Sequence, residues 1–204
     1  MPQRGSAPPT PRPAVDRHAA AAAVEAFLRA IGRDEAELEG TGARVADLFL
    51  DDLCAGYAVD TRKLVDDSKM EAPTRAAGGG TLVAVRDIPV VTTCPHHLLP
   101  SFGAATVAFK ATSRLVGLGT VAALVDAHAR RLALQEGIGE GVVDDLDAIL
   151  APAWVGCRLV LSHGCMIARG ERATGTRVET VALRAPHDRI AEVHLALGLG
   201  QEAR

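Results

Sequence analysis

The sequence predicts an α+β fold: an antiparallel β-sheet with two helices on one face, preceded by N-terminal helices. Two observations carry this. The apolar period is helical before residue 56, two-residue in parts of 81–110, helical again over 118–150, and two-residue over 157–183. The resulting order is helices, strand, strand, helix, helix, strand, strand. Composition agrees with a folded chain. The 204 residues are 48% hydrophobic and 23% charged, which is ordinary globular usage and excludes wholesale disorder. Aromatics are only 3%, so Ala, Val and Leu must fill the core.

Residues 1–15 hold five prolines and few bulky apolar groups, and are expected to be a disordered arm. Asp16 can cap a helix over roughly 17–31, with Val24, Phe27, Leu28 and Ile31 as its stripe and Gly32 as its stop. Thr41 can cap a second helix over roughly 43–55, carrying Val45, Leu48, Phe49, Leu50 and Leu53. Residues 57–80 read as a polar connection ending in Gly78, Gly79 and Gly80. Thr81–Asp87 and Phe102–Lys110 read as strands. Helices follow at Leu118–Leu134 and at roughly 137–150. Gly139 and Gly141 weaken the start of the second, so packing must hold it. Cys157–Cys165 and Arg177–Leu183 are the last two strands, and the chain from Pro186 onward reads as a tail.

The formal charge is −3 and the isoelectric point about 6.2, so there is no bulk basic footprint for nucleic acid. The longest stretch without charged side chains, Ile88 to Phe109, contains two adjacent histidines and three prolines and is no membrane span. The N-terminus has no apolar run of the signal-peptide kind. Four cysteines are too few for a disulfide scaffold. A reduced, cytoplasmic setting is expected, where Cys beside His suggests metal or catalysis.

Cys94-Pro95-His96-His97 is the sharpest local feature. Pro95 suits the first position of a helical turn, and in such a turn Cys94 and His97 converge on one side. A thiolate and an imidazole make half a zinc site, with His96 close by but directed elsewhere. His163-Gly164-Cys165 ends a predicted strand, where residues two apart share a face. Gly164 between them lets another backbone approach closely. Cys94, His97 and Cys165 would leave a fourth metal position for water. Cys157 lies roughly 26 Å from Cys165 along a strand and cannot reach the same ion. Cys54 could reach it, although a thiol on an apolar helix is usually core. On spacing alone, a Cys-x-x-His pair is also common in proteins that bind nothing. His128 reads as a helix-face histidine, and His18, His187 and His194 as solvated.

These segments together resemble GTP cyclohydrolase I, the zinc enzyme that opens the guanine ring at the start of pterin synthesis. The likeness covers roughly residues 20–185. It rests on VRDIPVVTTCPHHLLPSFGAATVAF, LVGLGTVAALVDAHARRLALQE, SHGCMIARG and TGARVADLFLDDLCAGY, the last with Gly42 where the family has proline. The resemblance implies the tunnelling fold, assembled as a homo-oligomeric ring of ten subunits with sites where subunits meet. It implies zinc on Cys94, His97 and Cys165, acid–base histidines at His96 and His163, and guanine recognition by Gln135 and Glu136. Arg44 and Arg169 would bind phosphate. The implied reaction takes GTP, releases formate and gives dihydroneopterin triphosphate. On this reading 16–80 is an N-terminal helical region with a linker, 81–185 the zinc-binding catalytic domain, and 186–204 a tail.

The chain departs from the family pattern in one place above all. Gly119, Thr120 and Ala123 stand where the family typically carries Ser, Lys and Arg that hold the triphosphate; Pro95 and Ile167 replace a usual Glu and Lys. Charge-assisted hydrogen bonds are worth about 1.5–3 kcal/mol each, so losing two cations weakens triphosphate binding by orders of magnitude. The alternatives to a GTP cyclohydrolase are a paralogue acting on a less phosphorylated guanine compound or related purine or pterin, and a non-catalytic, zinc-stabilised ring protein. Without the family likeness, Gln135-Glu136 reads as a solvated helix terminus.

Overall fold

The structure, a computed structural model, describes residues 14–72, 80–169, 172 and 174–199. Most of the Pro-rich arm and nearly all of the glycine linker lie outside the described residues. Contacts divide the chain into two units, Met1–Leu50 and Asp51–Arg204.

In the first unit, α1 (Arg17–Ala30) begins as expected at Asp16, whose carboxylate accepts the Ala19 N–H at 2.9 Å. The second helix, α2 (Thr41–Asp47), is shorter than the sequence suggests, and the helical run continues through a π-helical segment, Leu48–Leu53. Its cap is Gly40, at a left-handed φ of 73°, rather than Thr41. Arg17 and Asp47 form an ion pair. A Cβ at Gly42 would stand 2.5 Å from the Ala21 carbonyl oxygen, so the close approach of α1 and α2 requires glycine there.

The second unit holds the sheet. Before it, the stretch expected to be a polar connection contains α3 (Thr61–Ser68), capped by Asp60, and β1 (Lys69–Glu71). A single buried side chain, Val65, anchors α3 to the core, and so short an apolar signal escapes a periodicity reading. By contacts, α3 and β1 belong to the second unit, with the sheet. β1 pairs with β4 (Arg114–Val116) in a small sheet of its own.

The main sheet is antiparallel, in the order β2 (Thr81–Thr93), β3 (Pro100–Ala111), β5 (Trp154–His163), β6 (Val178–Arg184). A bulge between Val85 and Ile88 sets Asp87 at a φ of 54° and splits β2 into two registers. The core lies between one face of this sheet and two helices, α4 (Leu118–Ala129) and α5 (Gln135–Leu150). Val107, Phe109, Leu159 and Leu161 meet Leu124, Val125, Val142 and Leu146 there, all fully buried. The packing that α5 needs comes from its glycines: a Cβ at Gly141 would lie 2.5 Å from the His128 ring.

α4 ends at Ala129, five residues before the expected stop. Leu132 instead bridges to Thr93 at the end of β2, bringing the start of α5 to that end of the sheet. The presumed tail folds as α7 (Ile190–Ala196). Its Val193, with Leu197, packs on Trp154 and Ala108 across the other sheet face. Among the described residues, no helix is long and apolar enough to cross a membrane.

Candidate metal centre and catalytic cavity

The β2–β3 register pairs Thr93 with Pro100, so residues 94–99 must turn within one loop. The loop closes on itself: the Cys94 N–H donates to Leu99 O and the Leu98 N–H to Cys94 O, both at 2.9 Å. Leu98 takes a left-handed φ of 53° to complete the turn. The consequence is the convergence expected from spacing, with Cys94 Sγ and His97 Nδ1 3.6 Å apart. His96 is not part of this pair; its ring lies 6.2 Å from that of His97 and nearly perpendicular to it.

Cys165 arrives differently from the sequence expectation. The strand stops at His163, and Cys165 sits in a single helical turn, α6 (Gly164–Ile167). Gly164 makes this possible, because a Cβ there would stand 2.4 Å from the Pro100 carbonyl oxygen. Ligand atoms of Cys94, His97 and Cys165 then all lie within 4.8 Å of one another. Cys54 and Cys157 take no part in this group. Burial pushes the Cys157 thiol up to about 12, as suits a core residue. Burial also raises the Cys165 thiol, and Cys94 beside it adds to the rise, since two thiolates without a cation repel. A cation held there would reverse that balance and favour the thiolates.

The three sulfur and imidazole groups line a cavity of about 220 Å3 that also takes in His96, Ser101, Gln135, Glu136 and His163. A larger recess, about 310 Å3, lies around Arg158 and Arg177 and is lined by no Cys or His, so it offers no comparable chemistry. Glu136 is exposed in the first turn of α5, where the helix N-terminus favours a carboxylate. Gln135 is only 3% exposed, and its amide is committed. Nε2 donates to Leu159 O at 3.1 Å and to Val178 O at 3.0 Å, which turns Oε1 toward His163 Nε2 at 2.7 Å. The other ring nitrogen of His163 meets Ser101 Oγ at 3.1 Å. Sequence reasoning missed Ser101, since a lone serine in a strand gives no local signal.

Arg169 is exposed, acts electrostatically on Cys165 and does not line the cavity. Arg44 lies in the first unit, where its guanidinium donates to Thr41 Oγ1 at 2.8 Å. His128, read as a helix-face residue, is largely buried and pairs with Asp145 at 2.9 Å.

An α+β unit with a Cys–His–Cys cluster that could hold a metal ion, opening on a cavity of histidines and a carboxylate, has the make-up of a metal-dependent enzyme. The family model for GTP cyclohydrolase I matches residues 20–194, and the chain belongs to that family, with its tunnelling fold. It is 34% identical over 148 residues to GTP cyclohydrolase 1 2 of Pseudomonas putida, covering 72% of this chain and 77% of that one. GTP cyclohydrolase 1 of Allorhizobium ampelinum is 35% identical over 175 residues, 85% of this chain and 84% of the relative. That of Leptospira biflexa is 33% identical over 162 residues, 78% and 85% of the two chains. A solved structure of the archaeosine synthase QueF-Like, in its apo form, aligns with a TM-score of 0.44 at 16% identity, over 53% of this chain and 98% of that one.

Proposed function

We propose that this chain is a zinc-dependent GTP cyclohydrolase I that opens the imidazole ring of guanine, releases formate and yields 7,8-dihydroneopterin triphosphate. The observation that carries the reading is the Cys94, His97 and Cys165 cluster on the wall of a cavity shared with His96, Glu136 and His163. The donor set fits zinc. Tetrahedral bonds of about 2.3 Å to sulfur and about 2.05 Å to nitrogen put those atoms about 3.6 Å apart. Cys94 Sγ and His97 Nδ1 stand at that separation, 3.6 Å. Three protein ligands leave one position for solvent or substrate.

Zinc held there supplies Lewis acidity and lowers the pKa of water into the neutral range. The residues of this chain do the rest. Glu136 accepts from the guanine N1–H and the N2 amino group together, a donor pair adenine lacks, so a carboxylate selects guanine. His96, exposed and lining the cavity, is assigned to move protons at the ring nitrogens as the ring opens and formate leaves. His163 is the cavity's other imidazole outside the Cys–His–Cys cluster, and we assign Gln135 to holding it rather than the base. Arg44 and Arg169 are assigned to phosphate, and the active protein to a homo-oligomeric, decameric ring in the cytoplasm. Light scattering checks the ring.

A second reading has an observation of its own. The first turn of α4 presents Leu118, which is 63% exposed, then Gly119 and Thr120, and no cation. This favours a guanine compound with fewer phosphates. Zinc-loaded protein assayed for formate and pterin fluorescence, with GTP, GMP and guanosine and with and without chelator, decides both points. No formate from any substrate rejects the hydrolase. A preference for guanosine or GMP over GTP selects the second reading.

A further inference from the structure

His163 makes two side-chain contacts, one at each ring nitrogen, and the partners fix their sense. The Gln135 amide donates both of its N–H groups toward main-chain carbonyls, so only its oxygen is left for His163 Nε2. An oxygen that can only accept requires a hydrogen on Nε2. On the neutral ring, Nδ1 is then an acceptor, and the Ser101 hydroxyl must donate to it. Ser101 is 1% exposed and lines the cavity wall. Next to it in the β2–β3 register stands Thr92, 3% exposed and also on the cavity wall, whose Oγ1 is buried without a partner.

We propose that Ser101 is a positioning residue that, with Gln135, clamps His163 as the Nε2–H tautomer, so that the Ser101 oxygen and the unpaired Thr92 hydroxyl form a polar recess for one N–H or O–H group of the bound substrate. The clamp makes Ser101 and Thr92, rather than a bare imidazole edge, the surface that β2 and β3 offer to a ligand. This inference rests on the cavity being the place where substrate reacts.

The test uses zinc-loaded protein with 15N-labelled histidine rings and no substrate. The neutral His163 ring is expected to show one pyrrole-type nitrogen, Nε2, and one pyridine-type nitrogen, Nδ1, shifted by a hydrogen bond. Ser101→Ala abolishes that Nδ1 shift; Gln135→Met lets the ring populate both tautomers. With the preferred substrate, Ser101→Ala raises KM about tenfold, as expected for losing one wall of the recess, and lowers kcat as the ring it positions is loosened. Thr92→Val raises KM about tenfold, as expected for one lost hydrogen bond, and leaves the ring signals alone. A wild-type ring exchanging between tautomers, or unchanged signals in Ser101→Ala, overturns the clamp. An unchanged KM in Thr92→Val overturns the recess. Absence of formate release from a protein with the locked ring would reject the hydrolase reading instead and leave the clamp standing.

Discussion

Gly164→Ala tests the packing that delivers Cys165 to the metal cluster. The added Cβ would sit 2.4 Å from the Pro100 oxygen. Ordinary C···O contacts are about 3.3–3.6 Å, so roughly 1 Å of movement is needed. Pro100 cannot supply it, because Pro100 pairs with Thr93 and the next residue, Ser101, pairs with His163. The strain falls on α6, which carries Cys165. Overpacking of this kind costs about 1–3 kcal/mol. For a chain of 204 residues that is a fall in Tm of about 2–12 °C. Ligand distances must hold to about 0.2 Å, so zinc affinity should drop at least tenfold. Competition with a chromophoric chelator measures the affinity, and thermal melts measure the stability. Gly175→Ala is the control, since its Cβ would meet nothing within 4 Å. A Gly164→Ala protein that binds zinc and melts like the wild type would refute the close-approach argument.

Cys94→Ser and Cys165→Ala should each reduce bound zinc from one equivalent toward none by elemental analysis, with formate release falling to background. Asp145→Asn should cost about 2 kcal/mol at pH 7 in urea unfolding, because it weakens bonds to His128 and Arg62. Burial pushes the Asp145 carboxyl up, but bonds from His128, Thr61 and Arg62 outweigh it and hold the group below its ordinary 3.8. A depressed folded pKa stabilises above 3.8 and is lost as pH falls through the folded value, so the gap between variant and wild type should close in acid. Leu197→Ala should cost about 2–5 kcal/mol, since the side chain is fully buried; a cost under 0.5 kcal/mol would restore the reading of 186–204 as a mere tail.

Long periodic segments were legible. α1 and its Asp16 cap, the first half of β2, most of β3, and α4 and α5 follow from runs of several residues at one period, whereas Ile88–Thr93 of β2 lies beyond the predicted strand. Elements anchored by one or two side chains were not. α3 is held by Val65 and α7 by Val193 and Leu197, too few to set a period. In the site, contiguous spacing found Cys94 with His97, because one turn of chain fixes their separation. It also found Cys165, but on the wrong element, since the strand-to-helix switch at Gly164 comes from contact with Pro100 rather than from local propensity. The role of Gln135 was hidden for the same reason: its partners Leu159, Val178 and His163 lie on two other strands.

One signal of the site does exist at the level of the sheet. Across β2, β3 and β5 the positions on the core side pair in rows: Val83, Phe109 and Val155; Val85, Val107 and Cys157; Ile88, Ala105 and Leu159; then Val90 and Leu161 on either side of Gly103, which is exposed and has no side chain to bury. The next row is Thr92, Ser101 and His163. Three strands thus turn from apolar to polar at the same level, on the face that α4 and α5 cover. Burying that row costs free energy unless each polar atom finds a partner. His163 and Ser101 find each other and Gln135, whereas Thr92 finds none. A core would not keep such a row for stability, because a hydrophobic row of the same shape packs without the desolvation penalty. The polar level therefore has no stability rationale, and the candidate metal ligands Cys94 and Cys165 each lie two residues beyond it, just past the ends of β2 and β5.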